Sequence, residues 1–328
     1  MALLERAYQE VTSTFNNRVY ILEANLLPFV SVIVTALNNE ELMKNCHVSL
    51  LQTVYPPERR EFIIVDNGST DRTAEIIKSF PVQYLYERRR GVSYARNRGI
   101  EASIGEIVAF TDPDCVVSTV WLNELVNAFD EQDVGGVAGA IIPYPGQTSA
   151  ERYAARIRSH TQERPMSHPL HPFAMTPNIA FRREVFQRIG YFDTRFPGGG
   201  WEDADLCWRF FRETNLKLKY PPRAVVFHRY RTTAKAFFIQ HVRYGYGLAI
   251  LFTKYNEEIS WDWRERAQAY KNLIVATWVL ANNGSKWIIR KCTAEEFDIA
   301  YFGFLRQLGQ RLGFLRGSFS GKWSYSNE

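Results

Sequence analysis

Between residues 30 and 111, short β-branched runs alternate with helix-like stretches, and this rhythm restricts the fold more than any other feature. The run Val30 to Thr35 in "FVSVIVTALNNEE", the run in "REFIIVDNGST", residues 82–86 ("VQYLY") and the opening of "GEIVAFTDPDCVVS" read as four strands. The first two are apolar on both faces, as strands buried between two layers are. "ELMKNCHVSLLQT", the stretch after Thr70-Asp71 (which offers a cap) and residues 93–103 read as helices between them. Short connections in a β-α-β-α order predict an α/β fold: a Rossmann-like, mainly parallel sheet flanked by helices. Such sheets bind ligands at the carboxyl ends of their strands. Thr35, Asp66, Asp112 and Asp114 all fall at those ends, which suggests one shared site.

After residue 135 the pattern loosens. "GGVAGAIIPY" reads as one more strand, "SAERYAARIRSHTQ" as a helix, and 164–178 as irregular. "IAFRREVFQRIG" reads as strand then helix, "FPGGGWEDADLCWRFFRET" as a glycine-rich loop feeding a helix, and "KYPPRAVVFHRYR" as a short strand ending at His228. Three regions are expected: an amphipathic N-terminal helix over 1–28, an α/β domain over 29–230, and a helical, basic, aromatic-rich extension over 231–328.

Composition narrows the function classes. With 46% apolar and 23% charged residues the chain is globular material. The four cysteines lie far apart with no CxxC pair, which argues against a zinc knuckle or disulfide framework and suits a reducing, cytoplasmic setting. The first twenty residues lack the basic start and apolar block of a signal peptide. The longest apolar run, Leu273 to Ala281, is short of the ~20 residues that span a bilayer. Charge is uneven: residues 229–328 hold 15 Lys/Arg against 8 Asp/Glu, leaving the first 228 with 25 against 27. Five of the eight tryptophans share that basic stretch. An anionic membrane surface and a solvated helical face are the two readings that stay open; a nucleic-acid partner is not expected.

Asp112-Pro113-Asp114 is either a surface turn or a metal site. In an extended chain the two carboxylates face one side, and hard oxygens suit Mg²⁺ or Mn²⁺ with substrate phosphates completing the shell. Asp66 has a turn reading ("DNGS") beside a nucleotide-binding one. Arg96 is placed to neutralise phosphate better than the charge run Arg88 to Arg90. Glu202, Asp203 and Asp205 crowd the first turn of a helix, which the macrodipole favours. Gly199, Gly200 and Trp201 just before them suggest a closing loop beside a general base. His228 is a candidate third metal ligand. His168 and His171, in a Pro-rich loop without acid partners, read as structural.

In this order, "SVIVTALNNEE", "LLQTVYPPERREFIIVDNGSTDRT", "RGVSYARNRGIEASIGEIVAFTDPDC", "NIAFRREVFQRIGYFD" and "GGGWEDADLCWR" resemble the inverting glycosyltransferases of family 2, which have the GT-A fold. The resemblance covers roughly residues 29–230. It implies that Asp112 and Asp114 form the DxD motif, holding Mn²⁺ or Mg²⁺ on the pyrophosphate of a nucleotide-sugar, with His228 as a further ligand. It implies that Thr35, Leu37, Glu40, Asp66 and Arg96 line the nucleotide, and that Glu202-Asp203 is the ED motif, with Asp203 the base. Leu37 replaces a frequent Tyr, and Trp201 stands where Gly is frequent, which bears on the acceptor pocket. The acceptor is expected to be a glycan or a lipid-linked glycan. The extension, with "YFGFLRQLGQRLGFLRGSF" as its amphipathic piece, is read as a peripheral membrane anchor or a homo-oligomer contact. Two rivals are a sugar-nucleotide nucleotidyltransferase, whose Gly-rich loop "TALNNEE" does not resemble, and a non-catalytic nucleotide- or sugar-binding protein.

Overall fold

A computed structural model describes residues 27–168, 172–196, 198–256 and 263–319. The helix expected over 1–28 lies almost wholly outside them, as does His171. The chain runs β1 (Val30–Ala36), α1 (Glu40–Leu51), β2 (Arg60–Asp66), α2 (Thr73–Lys78), β3 (Gln83–Tyr86), α3 (Val92–Ala102) and β4 (Ile107–Thr111). There follow β5 (Cys115–Val117), α4 (Trp121–Asn127), β6 (Val134–Ala138), β7 (Ala140–Pro143), α5 (Ser149–Arg156) and α6 (Glu163–Met166). The rest is β8 (Ile179–Arg182), α7 (Arg183–Ile189), α8 (Glu202–Glu213), β9 (Lys217–Lys219), β10 (Val225–His228), α9 (Ala234–Lys254), α10 (Trp263–Ile288) and α11 (Ala294–Phe319). Two compact units result: one of residues up to 145 with 160–193 and 203–229, the other of 146–159, 194–202 and 230 onward.

The first unit carries a seven-stranded sheet in the order β3-β2-β1-β4-β8-β6-β9. β3, β2, β1 and β4 are parallel; β8 runs antiparallel to β4 and β6. The period-two rule explains why the central runs of β1, β2 and β4 are apolar on both faces, whereas β3, at the sheet edge, is half-buried to exposed. Val32 and Val34 face the layer that holds Met43, Cys46 and Leu50, while Ile33 faces the layer that holds Ala95 and Ile100. Phe62/Ile64 against Ile63/Val65, and Ile107/Ala109 against Val108/Phe110, alternate in the same way. Burying a Val, Ile or Phe contributes roughly 1.5–3 kcal/mol, so two-sided strands dominate the core.

A second, three-stranded sheet has the order β5-β10-β7. Here the structure departs from the expectation of one strand through "GGVAGAIIPY". β6 ends in the large sheet, and β7 begins in the small one one residue later. Gly139 makes the change: its N–H donates to the Asn178 carbonyl at 3.1 Å, and a Cβ there would lie 2.2 Å from the Ala224 carbonyl oxygen. The cap of α2 also differs, since Arg72 is its N-cap residue. Asp71 accepts instead from the Thr73 and Glu40 N–H groups, at 3.0 and 3.2 Å.

The second unit is helical. A capping box of Thr148 and Glu151 starts α5, and the Thr233 hydroxyl accepts from the Ala236 N–H at the start of α9. Tyr153, Phe237 and Phe302 pack ring on ring with centroids 5.3–5.8 Å apart. The glycines of α11, a weakness for an isolated helix, serve a close approach to α9. A Cβ on Gly313 would sit 1.9 Å from the Val242 carbonyl oxygen, and one on Gly245 2.1 Å from that of Gln310.

Candidate active site

The turn reading of Asp112-Pro113-Asp114 holds, and the turn carries both carboxylates at the strand ends. The Cys115 N–H donates to the Asp112 carbonyl at 3.0 Å, closing a turn that carries the chain from β4 into β5. The chain is therefore not extended here, and the two carboxylates meet different partners. Asp114 Oδ1 lies 3.5 Å from His228 Nε2, and Asp112 Oδ1 lies 3.4 Å from Arg96 Nη2. The pairing of β10 with β5 creates the first contact, because it sets His228 opposite Cys115. The Arg229 N–H fixes it further by donating to the Asp114 carbonyl at 2.8 Å.

His228 and Asp114 are both buried, and the His160 ring stacks on that of His228 with centroids 4.5 Å apart and planes at 19°. His160 escaped sequence reasoning because it sits in a helix-like stretch with no partner nearby in sequence. Arg229 escaped it as one of several arginines; its guanidinium lies over the Tyr144 ring at 4.0 Å.

Arg96, buried on α3, also lies over the Phe192 ring at 5.3 Å. Asp66 is buried at the end of β2; it accepts from the Ser69 N–H at 2.8 Å and from the Tyr84 hydroxyl at 3.1 Å. The Tyr84 hydroxyl is pushed up to about 12, first by burial and then by the Asp66 charge. Thr35 is half-buried at the end of β1, opposite Val65, and Leu37 is exposed just beyond. Glu40 accepts from the Arg72 N–H at 3.0 Å, so it also ties α1 to the turn before α2.

The acids of "WEDAD" separate in role. Asp205 is buried and pairs with Arg209 at 3.0 Å; Arg209 in turn donates to the carbonyls of Ile189 and Tyr191, so this carboxylate is structural. Asp203 lies in the first unit, half-buried, its Oδ1 accepting from the Ala204 N–H at 2.8 Å. In the second unit Glu202, buried, accepts from the Gly200 N–H. Gly199, Gly200 and Trp201 all have positive φ, at 67, 159 and 74°. For Trp201 this costs of order 1–3 kcal/mol. Its indole Nε1–H donates to the Tyr244 carbonyl at 2.9 Å, and Gly247 admits the Gly200 carbonyl so closely that a Cβ would stand 2.3 Å from it. The loop is docked on α9.

One ligand atom each from Asp114, Cys115 and His228 lies within 4.8 Å of the others. Burial, and then the charges of Asp114 and Asp112, push the Cys115 thiol well above its ordinary value. A protonated thiol is a poor ligand, which leaves a carboxylate oxygen and an imidazole nitrogen, with Asp112 next to them. These donors fit a divalent cation.

Acidic and basic side chains are gathered at the strand ends of a mainly parallel sheet, the edge at which α/β folds hold their ligands. Residues 31–190, just under half of the chain, match the model of glycosyl transferase family 2. The protein is 35% identical over 190 residues to Glycosyltransferase AglE of Haloferax volcanii, covering 56% of this chain and 60% of that one. The chain spans about half to three fifths of the length of the first curated relatives it matches. It shares the GT-A fold with the mannosyltransferase PcManGT of Pyrobaculum calidifontis, solved with GDP-Man and Mn²⁺. That match has a TM-score of 0.57 and 18% identity over 94% of this chain and 95% of that one. Glucosyl-3-phosphoglycerate synthase of Mycobacterium tuberculosis, solved with Mn²⁺, UDP-glucose and phosphoglyceric acid, gives a TM-score of 0.51 and 21% identity over 70% and 80%. Among the described residues no helix is long and apolar enough to cross a membrane.

Proposed function

We propose that this protein is an inverting glycosyltransferase that moves a sugar from a UDP-sugar to an acceptor hydroxyl. The observation that carries this reading is the buried Asp114–His228 pair at 3.5 Å on one side of the DxD turn, with the Arg96–Asp112 pair at 3.4 Å on the other. Asp114 and His228 would hold the cation, with Asp112 beside them; a carboxylate-imidazole donor set favours Mn²⁺ over Mg²⁺. When bound, the cation supplies positive charge to the departing diphosphate.

The chain's own groups do the rest. Arg96, fixed between Asp112 and Phe192, adds a second positive charge at the strand ends. Asp66 accepts from the uracil N–H through a lone pair that Ser69 and Tyr84 leave free, and Thr35, Leu37 and Glu40 border the nucleoside. Asp203 takes the proton of the acceptor hydroxyl, whose oxygen attacks the anomeric carbon from the face opposite the diphosphate and so inverts it. Gly199, Gly200 and Trp201 are the proposed acceptor and lid residues, and Glu202 accepts from the Gly200 N–H. The acceptor is a glycan or lipid-linked glycan, met at the cytoplasmic face of a membrane to which the basic C-terminal region holds the enzyme peripherally.

A panel of nucleotide-sugars scored for release of the nucleoside diphosphate tests the reading. A UDP-sugar is expected to be cleaved in a divalent-cation-dependent way. Tight binding of UDP with no release from any donor would make the protein a non-catalytic binder.

A further inference from the structure

On α11 the apolar face that the sequence suggested is partly covered: Tyr301, Phe304, Leu305 and Leu308 are half-buried, Leu312 and Leu315 are exposed, and Gly309 and Gly313 approach the backbone of α9. A more exposed apolar face lies on α10. Tyr270, Ile274 and Trp278 recur every four residues on one stripe, with Ile274 69% and Trp278 66% exposed. Trp287, Ile288 and Ile289 continue the exposed apolar surface at the end of the helix. The stripe from Tyr270 to Ile288 is ~27 Å long at 1.5 Å per residue. The opposite side, with Leu273, Ala276 and Leu280, is half-buried.

Charge decides what covers this face. Residues 266–293 contain five Lys/Arg and no Asp or Glu. Lys271 stands beside the stripe, and Lys286, Arg290 and Lys291 surround its end. A second copy seated on the same face would set two acid-free basic stretches against each other, which is repulsive in a two-fold contact. An anionic bilayer has the opposite charge and accepts tryptophan and isoleucine at the headgroup boundary. The helix is too polar to cross a membrane, so it lies along one.

We propose that the outer face of α10 is a docking surface for an anionic lipid bilayer, lying in the interfacial plane with Ile274 and Trp278 as its central anchors. This rests on the peripheral placement in the proposed function and names the surface responsible for it.

The test is flotation of the full chain with vesicles of phosphatidylcholine alone and of phosphatidylcholine with phosphatidylglycerol. Wild type is expected to float with the anionic vesicles and to be released by high salt. I274E/W278E is expected to lose at least tenfold in partitioning while keeping its circular dichroism and its cleavage of UDP-sugar in solution. L312E/L315E on α11, also exposed, is expected to float like wild type. Flotation of I274E/W278E at the wild-type level would overturn the α10 surface and leave peripheral binding to another element. Failure of wild type to float while it still cleaves UDP-sugar would overturn the membrane surface and leave the transferase reading intact. A concentration-dependent dimer that I274E/W278E abolishes, without lipid binding, would assign the face to a second copy and overturn the proposal.

Discussion

His228 Nε2 comes to 3.5 Å from Asp114 Oδ1 because the strand that ends at His228 pairs with the strand that begins at Cys115. Two candidate ligands 114 positions apart in the chain are thus brought together by backbone hydrogen bonds, not by loop conformation. His228→Gln keeps a polar side chain of similar size but cannot offer the imidazole nitrogen. Mn²⁺-dependent UDP affinity should fall roughly 10–100-fold, the scale seen when support at a metal site is removed, while affinity in EDTA should not change. Calorimetry with and without the cation measures both; identical Mn²⁺ titrations would remove His228 from the ligand set.

Asp203→Asn should leave UDP binding intact and lower sugar transfer by about 10²–10⁴-fold, the usual contribution of a positioned general base. Asp203 Oδ1 accepts from the adjacent Ala204 N–H, a bond that the Asn side-chain oxygen reproduces. Loss of turnover can then be read as chemistry and not as misfolding. Near wild-type turnover would move the base elsewhere.

Two glycine substitutions in the helical unit should have opposite signs. Replacing a mid-helix Gly by Ala gains roughly 1 kcal/mol of helix propensity. At Gly284 nothing lies within 4 Å of the new methyl, so Gly284→Ala should raise stability by up to about that amount. At Gly313 the methyl would meet the Val242 carbonyl oxygen at 1.9 Å. Overpacking costs about 1–3 kcal/mol or more, so Gly313→Ala should lower the melting temperature. Equal shifts in the two variants would mean that α9 and α11 are not in close contact.

Acid should unfold this protein through histidine as well as carboxylates. Burial pushes the imidazoles of His47 and His241 down to about 4, from an ordinary value near 6.5. The unfolded chain therefore binds more protons between pH 6.5 and 4, so stability rises with pH across that window and is lost as pH falls through it. At the limit this amounts to about 3 kcal/mol for each group. Both nitrogens of His47 are buried with no hydrogen-bond partner among the described residues, and its ring packs on Phe80 at 4.6 Å. His47→Phe should therefore raise the melting temperature at pH 7 and raise it more at pH 5. Parallel curves for the two proteins would clear His47 as an acid-sensitive group.

The large sheet was legible because β1, β2 and β4 carry apolar runs buried on both faces and carry Thr35, Asp66 and Thr111 at or next to their ends. Those patterns are local. The passage of "GGVAGAIIPY" from one sheet to the other was not legible, because Gly139 is required by the Ala224 carbonyl, far along the chain. Asp112 and Asp114 were found from spacing, but the extended geometry assumed for them was not; the turn sends one to Arg96 and the other to His228. His160 left no mark at all, since a stacking partner 68 positions away has no local signature. On α11 the leucines suggested an outward apolar face, whereas the glycines between them carried the packing information.

The small sheet acts as a ruler. Side chains along a strand alternate faces, so a one-residue slip of β10 against β5 would bring Phe227 opposite Cys115 and turn the imidazole away. Between Ser118 and Ala224 the chain is free to lengthen or shorten in its loops without disturbing the pair. From Val225 to His228 it cannot gain or lose one residue. Tolerance to insertion should therefore drop to nothing within four positions, and a scan of single-residue insertions along this stretch would trace the edge of the site without any substrate.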